Sequence, residues 1–440
     1  MRINLLSRRN FSRRRPRPYR RRMGAQKGQF TLRSRLFLTL QAVRFIYVTL
    51  QSNAVSMKRV RAMTNGNDDL ALVLGGGGAH AAYQVGFLHS LADHFPHLRI
   101  SILTGISAGS INATFIANHR GAFKEAIDAL SDIWCNLTVE QVYDAKGWSL
   151  AKSLLRWGVD LLAGGLPNTA GPKAIVDTSP LRKLLEGGFT SANGRFAGVR
   201  ENISGGKLKA LAITATSYTT GQAVTWVQGR NIPMWERPDR HSIRTDITVE
   251  QIMASTALPI FFPAVRIGDS WFGDGGIRQY APLSPALHLG AGRIIAVSTR
   301  HRPSMPEAGS VMHHRYPSIA RILDVLMNAI FVDMLDQDLL GLNRVNKLLD
   351  NRSPKEAPKL RLVRAFTLRP SVDLGKIAGS FEPNLPRPFR FLTRRLGTRK
   401  TGSFDWLSMI MFEPKYIQRL IEIGEADANA RKEEIAAFLA

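Results

Sequence analysis

The chain has 440 residues with a formal net charge of +26, and 44% of the residues are hydrophobic. That length suits one large α/β domain or several smaller ones, and the apolar fraction provides for a sizeable core. The single cysteine, Cys135, excludes an internal disulfide, and no cluster of cysteine and histidine indicates a zinc site.

The positive charge is concentrated at the amino terminus. Residues 1–67 contain 17 lysines and arginines and no acidic residue, which leaves +9 for the rest of the chain. Such a segment is too charged to fold alone, so we predict a disordered basic extension. Its apolar stretch Leu36–Leu50 is short for a spanning helix and contains Arg44. A transit peptide or an anionic membrane surface stays open as its role, whereas nucleic-acid binding is not expected as the main function, since no recognition fold accompanies the charge.

Residues 68–300 alternate between strand-like and helix-like segments. Leu70–Leu74 is wholly apolar and predicts a buried strand, and residues 81–94 have apolar side chains at helical spacing. Residues 99–106 predict a second strand, and residues 107–118 predict a helix after a very tight turn. This βαβα order favours a parallel sheet with helices on its faces.

The later segments are less regular. Residues 131–200 predict loops and short helices, and residues 208–227 predict a hairpin of two strands. Residues 249–276 predict a helix, a proline-interrupted turn, a strand and a glycine-rich turn, and residues 293–299 predict another buried strand. Residues 301–440 predict a mainly helical region, with one late strand, that packs on the preceding domain.

A run of four glycines follows the first predicted strand directly. Gly76, Gly78 and Ala81 satisfy the G-x-G-x-x-G/A pattern of dinucleotide-binding turns. Such a site also needs an acidic residue at the end of the second strand, to hold the ribose. That strand ends in LTGIS, and the nearest acid, Asp93, falls on the intervening helix. The missing acid therefore favours the other use of a glycine loop, as an oxyanion hole.

The second predicted strand ends in a nucleophile motif. Gly105-Ile106-Ser107-Ala108-Gly109 matches G-x-S-x-G, which places a serine at a sharp strand-to-helix turn. The flanking glycines avoid a side-chain clash in that turn. Because a β-like run precedes Ser107 and a helix-compatible segment follows it, we expect a nucleophile rather than a helix-capping serine.

A serine nucleophile needs a base. The histidines after Ser107 lie in no setting that singles one of them out: His119, His241, His288, His301, His313 and His314. Asp274 stands between glycines in WFGDGG, just after a predicted strand, and is followed by Gly275 and Gly276. On spacing alone, an ordinary Asp-Gly turn is the favoured interpretation of this carboxylate.

Taken together, these motifs make the sequence similar to the patatin-like phospholipases. That family has a glycine-rich oxyanion loop, a G-x-S-x-G serine and a later D-G-G/A aspartate, which here read GGGGAHAAYQVG, GISAGSINA and DGGIRQYAPL. The stretch MASTALPIFFPAVRI also resembles the family's Ala-Ser-x-x-x-Pro segment. The resemblance runs from about Leu70 to Thr299 and does not include residues 1–67.

The resemblance implies a three-layer α/β fold, with a central, mostly parallel sheet between helices and a largely helical C-terminal part. It makes residues 68–300 the catalytic domain and residues 301–440 a region packed on it. It also implies a Ser–Asp dyad, in which Ser107 attacks an ester carbonyl and Asp274 accepts its proton. The oxyanion would be stabilised by backbone N–H groups of three glycines in the loop, namely Gly76, Gly77 and Gly78. No metal or organic cofactor is implied.

The implied activity is hydrolysis of lipid acyl esters, by a phospholipase A or a lysophospholipase-type esterase of lipid catabolism. A catalytically weak lipid-binding or scaffold protein is the alternative. We expect a lipid substrate, contact with a membrane surface, and a cytoplasmic or membrane-peripheral location. The candidate contact surfaces are the segments IPMW (residues 232–235) and LPIFFP (residues 258–263), together with the region of Trp148 and Trp157.

One position departs from the family pattern. The family often has arginine or lysine, then glycine, where this chain has His80-Ala81. A basic residue there would help to fix the glycine loop, and histidine is neutral or charged near neutral pH according to its surroundings. We expect His80 to support the loop and His80→Arg to preserve ester hydrolysis.

Overall fold

The computed structural model describes residues 69–144, 174–189, 194–302, 322, 325–326, 334–350, 360–384 and 408–440. The basic segment 1–67, Trp148, Trp157, His313 and His314 lie outside the described residues. The predictions made for them stay predictions.

The strands are β1 (Leu70–Leu74), β2 (Ile102–Ile106), β3 (Ala210–Ser217), β4 (Ala223–Gly229), β5 (Glu236–Arg237), β6 (Arg240–Arg244), β7 (Val265–Ile267), β8 (Ser270–Asp274), β9 (Arg293–Val297) and β10 (Arg364–Leu368). The helices are α1 (Ala81–His94), α2 (Ala108–Asn118), α3 (Phe123–Cys135), α4 (Val139–Val142), α5 (Ser179–Phe189), α6 (Ala197–Ser204), α7 (Val249–Ser255), α8 (Ser284–His288), α9 (Leu335–Asp350), α10 (Leu374–Ala378), α11 (Pro414–Ala430) and α12 (Lys432–Leu439). Short 3₁₀ turns cover Gly78–His80, Gly275–Arg278 and Glu382–Asn384.

The described strands form one mixed sheet in the order β10-β9-β1-β2-β3-β4-β6-β5, and β8 pairs with both β3 and β7. Neighbours from β10 to β3 are parallel, whereas β4 and β8 run antiparallel to β3. The predicted α/β class with a parallel centre is therefore confirmed. Parallel neighbours need long crossover connections, and α1 supplies one between β1 and β2.

The two faces of β1 show why the molecule has three layers. Successive side chains of a strand point to opposite faces. Leu70, Leu72 and Leu74 join the larger core cluster, which includes side chains of α1, α2 and α11. Ala71 and Val73 join a second cluster on the opposite face, with side chains of α8 and α9. A strand that is covered on both faces has no polar side, which explains the unbroken apolar run LALVL.

The predicted elements match the structure with three differences. The second strand begins at Ile102, three residues later than expected, because residues 99–101 precede the pairing with β1. Strands β5 and β6 were not predicted, whereas the described parts of residues 131–200 contain the short helices α4, α5 and α6, as their pattern indicated. The single strand expected before Asp274 is a hairpin of β7 and β8, which turns between Ile267 and Ser270.

The C-terminal region contributes to the same sheet and core. Strand β10 pairs with β9, and α11 packs along α1. Tyr83 Oη on α1 donates to Asp427 Oδ2 on α11 at 3.0 Å, and Ser90 Oγ donates to Asn429 Oδ1 at 2.8 Å. In the part of the chain that the structure describes, no helix is long and apolar enough to span a bilayer.

Candidate active site

The turn between β2 and α2 places Ser107 in an unusual backbone conformation. Its φ is 52° and its ψ is −133°, in a region that residues other than glycine rarely adopt. Two hydrogen bonds hold this turn: Ser107 N–H donates to Ser255 Oγ at 2.9 Å, and Ser110 Oγ donates to Ser107 O at 2.6 Å. A Cβ on Gly105 would collide with the backbone oxygen of Gly109, so the close approach requires glycine. The sequence motif therefore forms the sharp turn that it predicts.

Ser107 and Asp274 meet beside β3, where β2 and β8 end. Ile106 at the end of β2 pairs with Thr214, and Asp274 at the end of β8 pairs with Ala215, the next residue of β3. Ser107 Oγ lies 2.6 Å from Asp274 Oδ2 and donates to it. An interaction of this kind can activate the serine as a nucleophile.

Two further hydrogen bonds hold Asp274, one to its carboxylate and one to its backbone. Gly276 N–H donates to its Oδ1 at 2.8 Å, and Thr216 Oγ donates to its backbone oxygen at 2.8 Å. Only 1% of Asp274 is exposed. Burial raises the pKa of Asp274 to about 6, although the hydrogen bonds from Ser107 and Gly276 act in the opposite direction. A carboxylate with such a pKa is ionised at neutral pH and still basic enough to accept a proton.

No histidine that the structure describes takes part in this pair. Among the described residues, no imidazole nitrogen hydrogen-bonds to Ser107 or Asp274. His119 accepts from Gly121 N–H, His288 stacks on Trp235, and His301 lies 3.0 Å from the Pro370 oxygen.

The glycine loop runs beside the serine. A Cβ on Gly76 would come within 3.0 Å of Ser107 Cβ. Gly77 and Gly78 have φ of 154° and 56°, so a side chain at either position would strain the backbone. The N–H groups of Gly76, Gly77 and Gly78 donate to no acceptor within the described parts of the chain. The loop thus presents three unpaired donors next to the Ser107–Asp274 pair.

Two contacts anchor the loop from outside. Thr299 Oγ donates to Gly76 O at 2.6 Å, and Ala79 N–H donates to Met409 O at 2.7 Å. The N–H of Ala108 at the start of α2 also has no acceptor among the described residues, and Ala108 lines the cavity beside Ser107. Sequence patterns could not identify Thr299, Met409 or Thr216, because these contacts come from other strands and segments. Ser255 lies in the Ala-Ser-x-x-x-Pro stretch, which is the one signal that pointed to it.

His80 is buried and neutral. It ends the 3₁₀ turn Gly78–His80, its Nε2 lies 2.8 Å from Ser408 Oγ, and its ring meets the Tyr416 ring edge-on at 6.5 Å. Burial, assisted by the nearby Arg300 charge, lowers the pKa of His80 to about 3. The expectation for His80→Arg therefore changes, because a larger permanent cation would be buried near Arg300, and no acidic side chain of the described residues acts on His80 to balance it.

An apolar cavity, partly open to solvent, lies beside the Ser107–Asp274 pair and is lined by Gly78 and Ser107. Its other lining residues are Ala108, Ile111, Leu130, Ile133, Trp134, Leu137, Val142, Leu181, Leu184, Leu185, Thr256, Leu258, Phe262, Met409, Ile410 and Phe412. Thr256 is the polar side chain in this set beyond Ser107. The cavity therefore suits a hydrocarbon chain whose polar end lies at Ser107.

The described residues contain no cluster of three or more histidine, cysteine or acidic side chains that could hold a metal ion. The site's polar groups are the Ser107–Asp274 pair and the amides of the glycine loop.

The family model for patatin-like phospholipases matches residues 72–287. Residues 72–287 therefore form a patatin-like phospholipase domain. This domain contains the glycine loop, Ser107 and Asp274, and it ends before β9 and the C-terminal region. The family match supports a lipid hydrolase function.

Three solved structures show remote similarity to this patatin-like chain. VipD from Legionella pneumophila is 12% identical, with 82% of this chain and 66% of that one covered and a TM-score of 0.34. Human GIVD cytosolic phospholipase A2, in complex with methyl gamma-linolenyl fluorophosphonate, is 12% identical. The match covers 85% of this chain and 59% of that one, with a TM-score of 0.40. A chain of the ExoU–SpcU complex from the type III secretion system of Pseudomonas aeruginosa is 21% identical. The match covers 44% of this chain and 36% of that one, with a TM-score of 0.21. The chain covers less than two thirds of each of these three chains, and no curated protein sequence matches it.

Proposed function

We propose that this patatin-like chain is a serine esterase that hydrolyses lipid acyl esters, of phospholipase A or lysophospholipase type. One observation carries the proposal: Ser107 Oγ donates to Asp274 Oδ2 at 2.6 Å, and Ser107 lines an apolar cavity. A nucleophile, its base and an apolar cavity are the parts that such a reaction needs.

In the acylation step, Ser107 Oγ attacks the ester carbonyl carbon while its proton moves to Asp274 Oδ2. The carbonyl π electrons move onto the oxygen, which becomes an oxyanion near the unpaired amides of Gly76, Gly77 and Gly78. The intermediate then collapses: the carbonyl re-forms, the bond to the alcohol portion breaks, and the departing oxygen takes the proton from Asp274. The product of this step is an acyl-Ser107 ester and a free alcohol.

In the deacylation step, Asp274 accepts a proton from a water molecule as that water attacks the acyl carbonyl. The same amides stabilise the second oxyanion, and Ser107 Oγ leaves and recovers its proton from Asp274. A free fatty acid is released. Removal of one oxyanion donor in a hydrolase typically lowers turnover about 10²–10³-fold. The scheme needs no metal or organic cofactor.

A lipid substrate must reach the site from a membrane or a micelle. Strand β8 brings Trp271 to the same sheet edge as Asp274, and Tyr218 N–H donates to Trp271 O at 2.8 Å. The two aromatic residues are 47% (Tyr218) and 41% (Trp271) exposed. Exposed tryptophan and tyrosine favour the membrane–water interface, so this pair is our candidate membrane contact. The exposed guanidinium of Arg266, which pairs with Trp271 across the hairpin, would favour anionic lipids.

The segments 232–235 and 258–263 contribute mainly to the core. Ile232, Trp235, Phe261 and Phe262 are buried, and only single side chains of these segments, such as Ile260, are exposed. They are weaker candidates for membrane contact than Tyr218 and Trp271.

A fluorophosphonate probe tests the proposal, because it reacts with an activated serine and mimics the tetrahedral intermediate. We expect labelling of the wild-type protein and none of Ser107→Ala. Ser90→Ala is the matched control, since Ser90 is also a buried serine but lies on α1 and bonds to Asn429. A panel of phospholipids, lysophospholipids and glycerides then identifies the ester that is cleaved.

Each outcome has a distinct meaning. Labelling and hydrolysis that are both lost in Ser107→Ala support the esterase. Labelling without hydrolysis of any ester in the panel favours the alternative, a catalytically weak lipid-binding or scaffold protein. Labelling of Ser107→Ala equal to that of the wild type contradicts the assignment of the nucleophile.

A further inference from the structure

A short C-terminal segment, Ser408–Phe412, reaches the glycine loop from outside the patatin-like domain; we call it the clamp segment. Ala79 N–H donates to Met409 O at 2.7 Å, and Ser408 Oγ lies 2.8 Å from His80 Nε2. Ser408 is fully buried and lies 328 positions along the chain from His80. Two consecutive residues of the loop are thus bonded to two consecutive residues of the clamp segment.

The clamp segment is itself fixed on the side of the cavity. Tyr143 Oη donates to Ile410 O at 2.7 Å, and the Tyr143 ring packs edge-on against Phe412 with the centroids 6.3 Å apart. A Cβ on Gly78 would overlap the Met409 backbone, so the loop and the clamp segment are in close contact. Met409, Ile410 and Phe412 also line the cavity. The clamp segment is therefore a rigid wall against which the loop rests.

The His80–Ser408 bond attaches the loop to the clamp segment through a side chain, beside the backbone bond from Ala79 N–H to Met409 O. The imidazole is neutral, since its pKa is lowered to about 3, so His80 cannot hold the loop by charge at neutral pH. A hydrogen bond between two buried groups is directional, and an unpaired buried partner is unfavourable. The bond therefore fixes the direction in which His80, and with it Gly77 and Gly78, can lie.

We propose that Ser408 is a positioning residue for the reaction: through His80 it holds the glycine loop where its amides can stabilise the oxyanion. This inference rests on the esterase function proposed above. Catalysis is sensitive to such placement, since a displacement of about 1 Å of a catalytic group can cost about 100-fold in rate. The patatin-like domain would thus need a residue from the C-terminal region to complete its oxyanion hole.

Ser408→Ala tests the proposal in the full chain, on a soluble short-chain ester. Because the loop amides act on the transition state rather than on the bound ester, we expect kcat to fall about 10–100-fold while KM stays within about three-fold. Ser408→Cys keeps a similar side-chain volume and offers only a weak donor, so it gives the same direction of change if the alanine variant does not fold. Melting temperatures of both variants show whether the fold is kept.

Ser90→Ala is the matched control for a merely structural role. It removes another buried serine hydrogen bond between α1 and the C-terminal region, at 2.8 Å, far along α1 from the loop. We expect it to lower the melting temperature to a similar degree and to leave kcat within about two-fold.

A double-mutant cycle identifies the route through His80. If Ser408 acts by way of His80, the double variant Ser408→Ala with His80→Gln loses no more kcat than the worse of the two single variants. The proposal is overturned if the fold-losses in kcat of the two single variants multiply in the double variant. It is also overturned if the kcat of Ser408→Ala matches that of Ser90→Ala. Two other results would show that the esterase function itself is wrong: a wild-type protein that hydrolyses no ester, or a Ser107→Ala variant that hydrolyses an ester as well as the wild type. In either case both proposals are wrong.

Discussion

Asp274→Asn is expected to make the protein more stable at neutral pH while it removes hydrolysis. The carboxyl is 1% exposed, and burial raises its pKa from the ordinary 3.8 to about 6. Asparagine has the same shape and no charge. Its amide oxygen can accept from Gly276 N–H, and its amide nitrogen can donate to Ser107 Oγ, so both existing contacts have a neutral equivalent.

The magnitude follows from the difference between the folded and unfolded pKa values. Between about pH 4 and pH 6 the folded protein keeps a proton on Asp274 that the unfolded chain has lost, so the free energy of unfolding falls as pH rises through this window. At about 1.4 kcal/mol per pH unit, the interval from 3.8 to about 6 corresponds to about 3 kcal/mol. Asparagine does not titrate. The variant should therefore exceed the wild type by about 1–3 kcal/mol above pH 6 and match it near pH 4.

Urea unfolding of both proteins at several pH values between about 4 and 8 measures this difference. Asp373→Asn is the control, because Asp373 is a partly exposed carboxylate that caps α10, and asparagine caps a helix equally well. Turnover of Asp274→Asn should fall about 10²–10⁴-fold, as expected for loss of a general base. An Asp274→Asn variant that is less stable than the wild type at pH 8, or whose gain is the same at pH 4 and pH 8, would refute the reasoning.

Three further predictions concern the same site and its surroundings. Since Asp274 must be ionised to accept a proton, kcat/KM on a soluble ester should rise with pH and level off above an inflection near pH 6; a flat profile through that range contradicts the base assignment. His80→Arg should lower the melting temperature, measured by calorimetry, because it buries a permanent cation near Arg300 without an acidic partner there; an unchanged melting temperature would show that the pocket admits the charge. The double variant Tyr218→Ala with Trp271→Ala should bind anionic vesicles about ten-fold more weakly in a sedimentation assay, since it removes exposed aromatic surface. Hydrolysis of a soluble ester is measured alongside, because the Tyr218 ring packs on Gly273, next to Asp274. Equal vesicle binding by the double variant and the wild type would place membrane contact elsewhere.

Many elements of the fold were predictable because their signals are local. The apolar run Leu70–Leu74 indicated a strand that is buried on both faces, and the G-x-S-x-G pattern indicated the sharp turn at Ser107. Strand alternation, helical spacing and glycine-dependent turns depend on residues within a few positions of one another. Less was predictable for strands β5 and β6, because their exposed and half-buried residues lack the apolar pattern of a buried strand.

The sequence by itself singled out the candidate site residues, each marked by glycines that a tight backbone requires: the glycine loop, Ser107 and, through the family resemblance, Asp274. It did not determine that Ser107 and Asp274 touch, since they lie 167 positions apart and meet only through the register of β2 and β8 on β3. Nor did it reveal that His80 is buried and neutral against Ser408, 328 positions away. Contacts of this kind depend on which strands pair and which helices pack, and that choice is made by the whole core rather than by any local pattern.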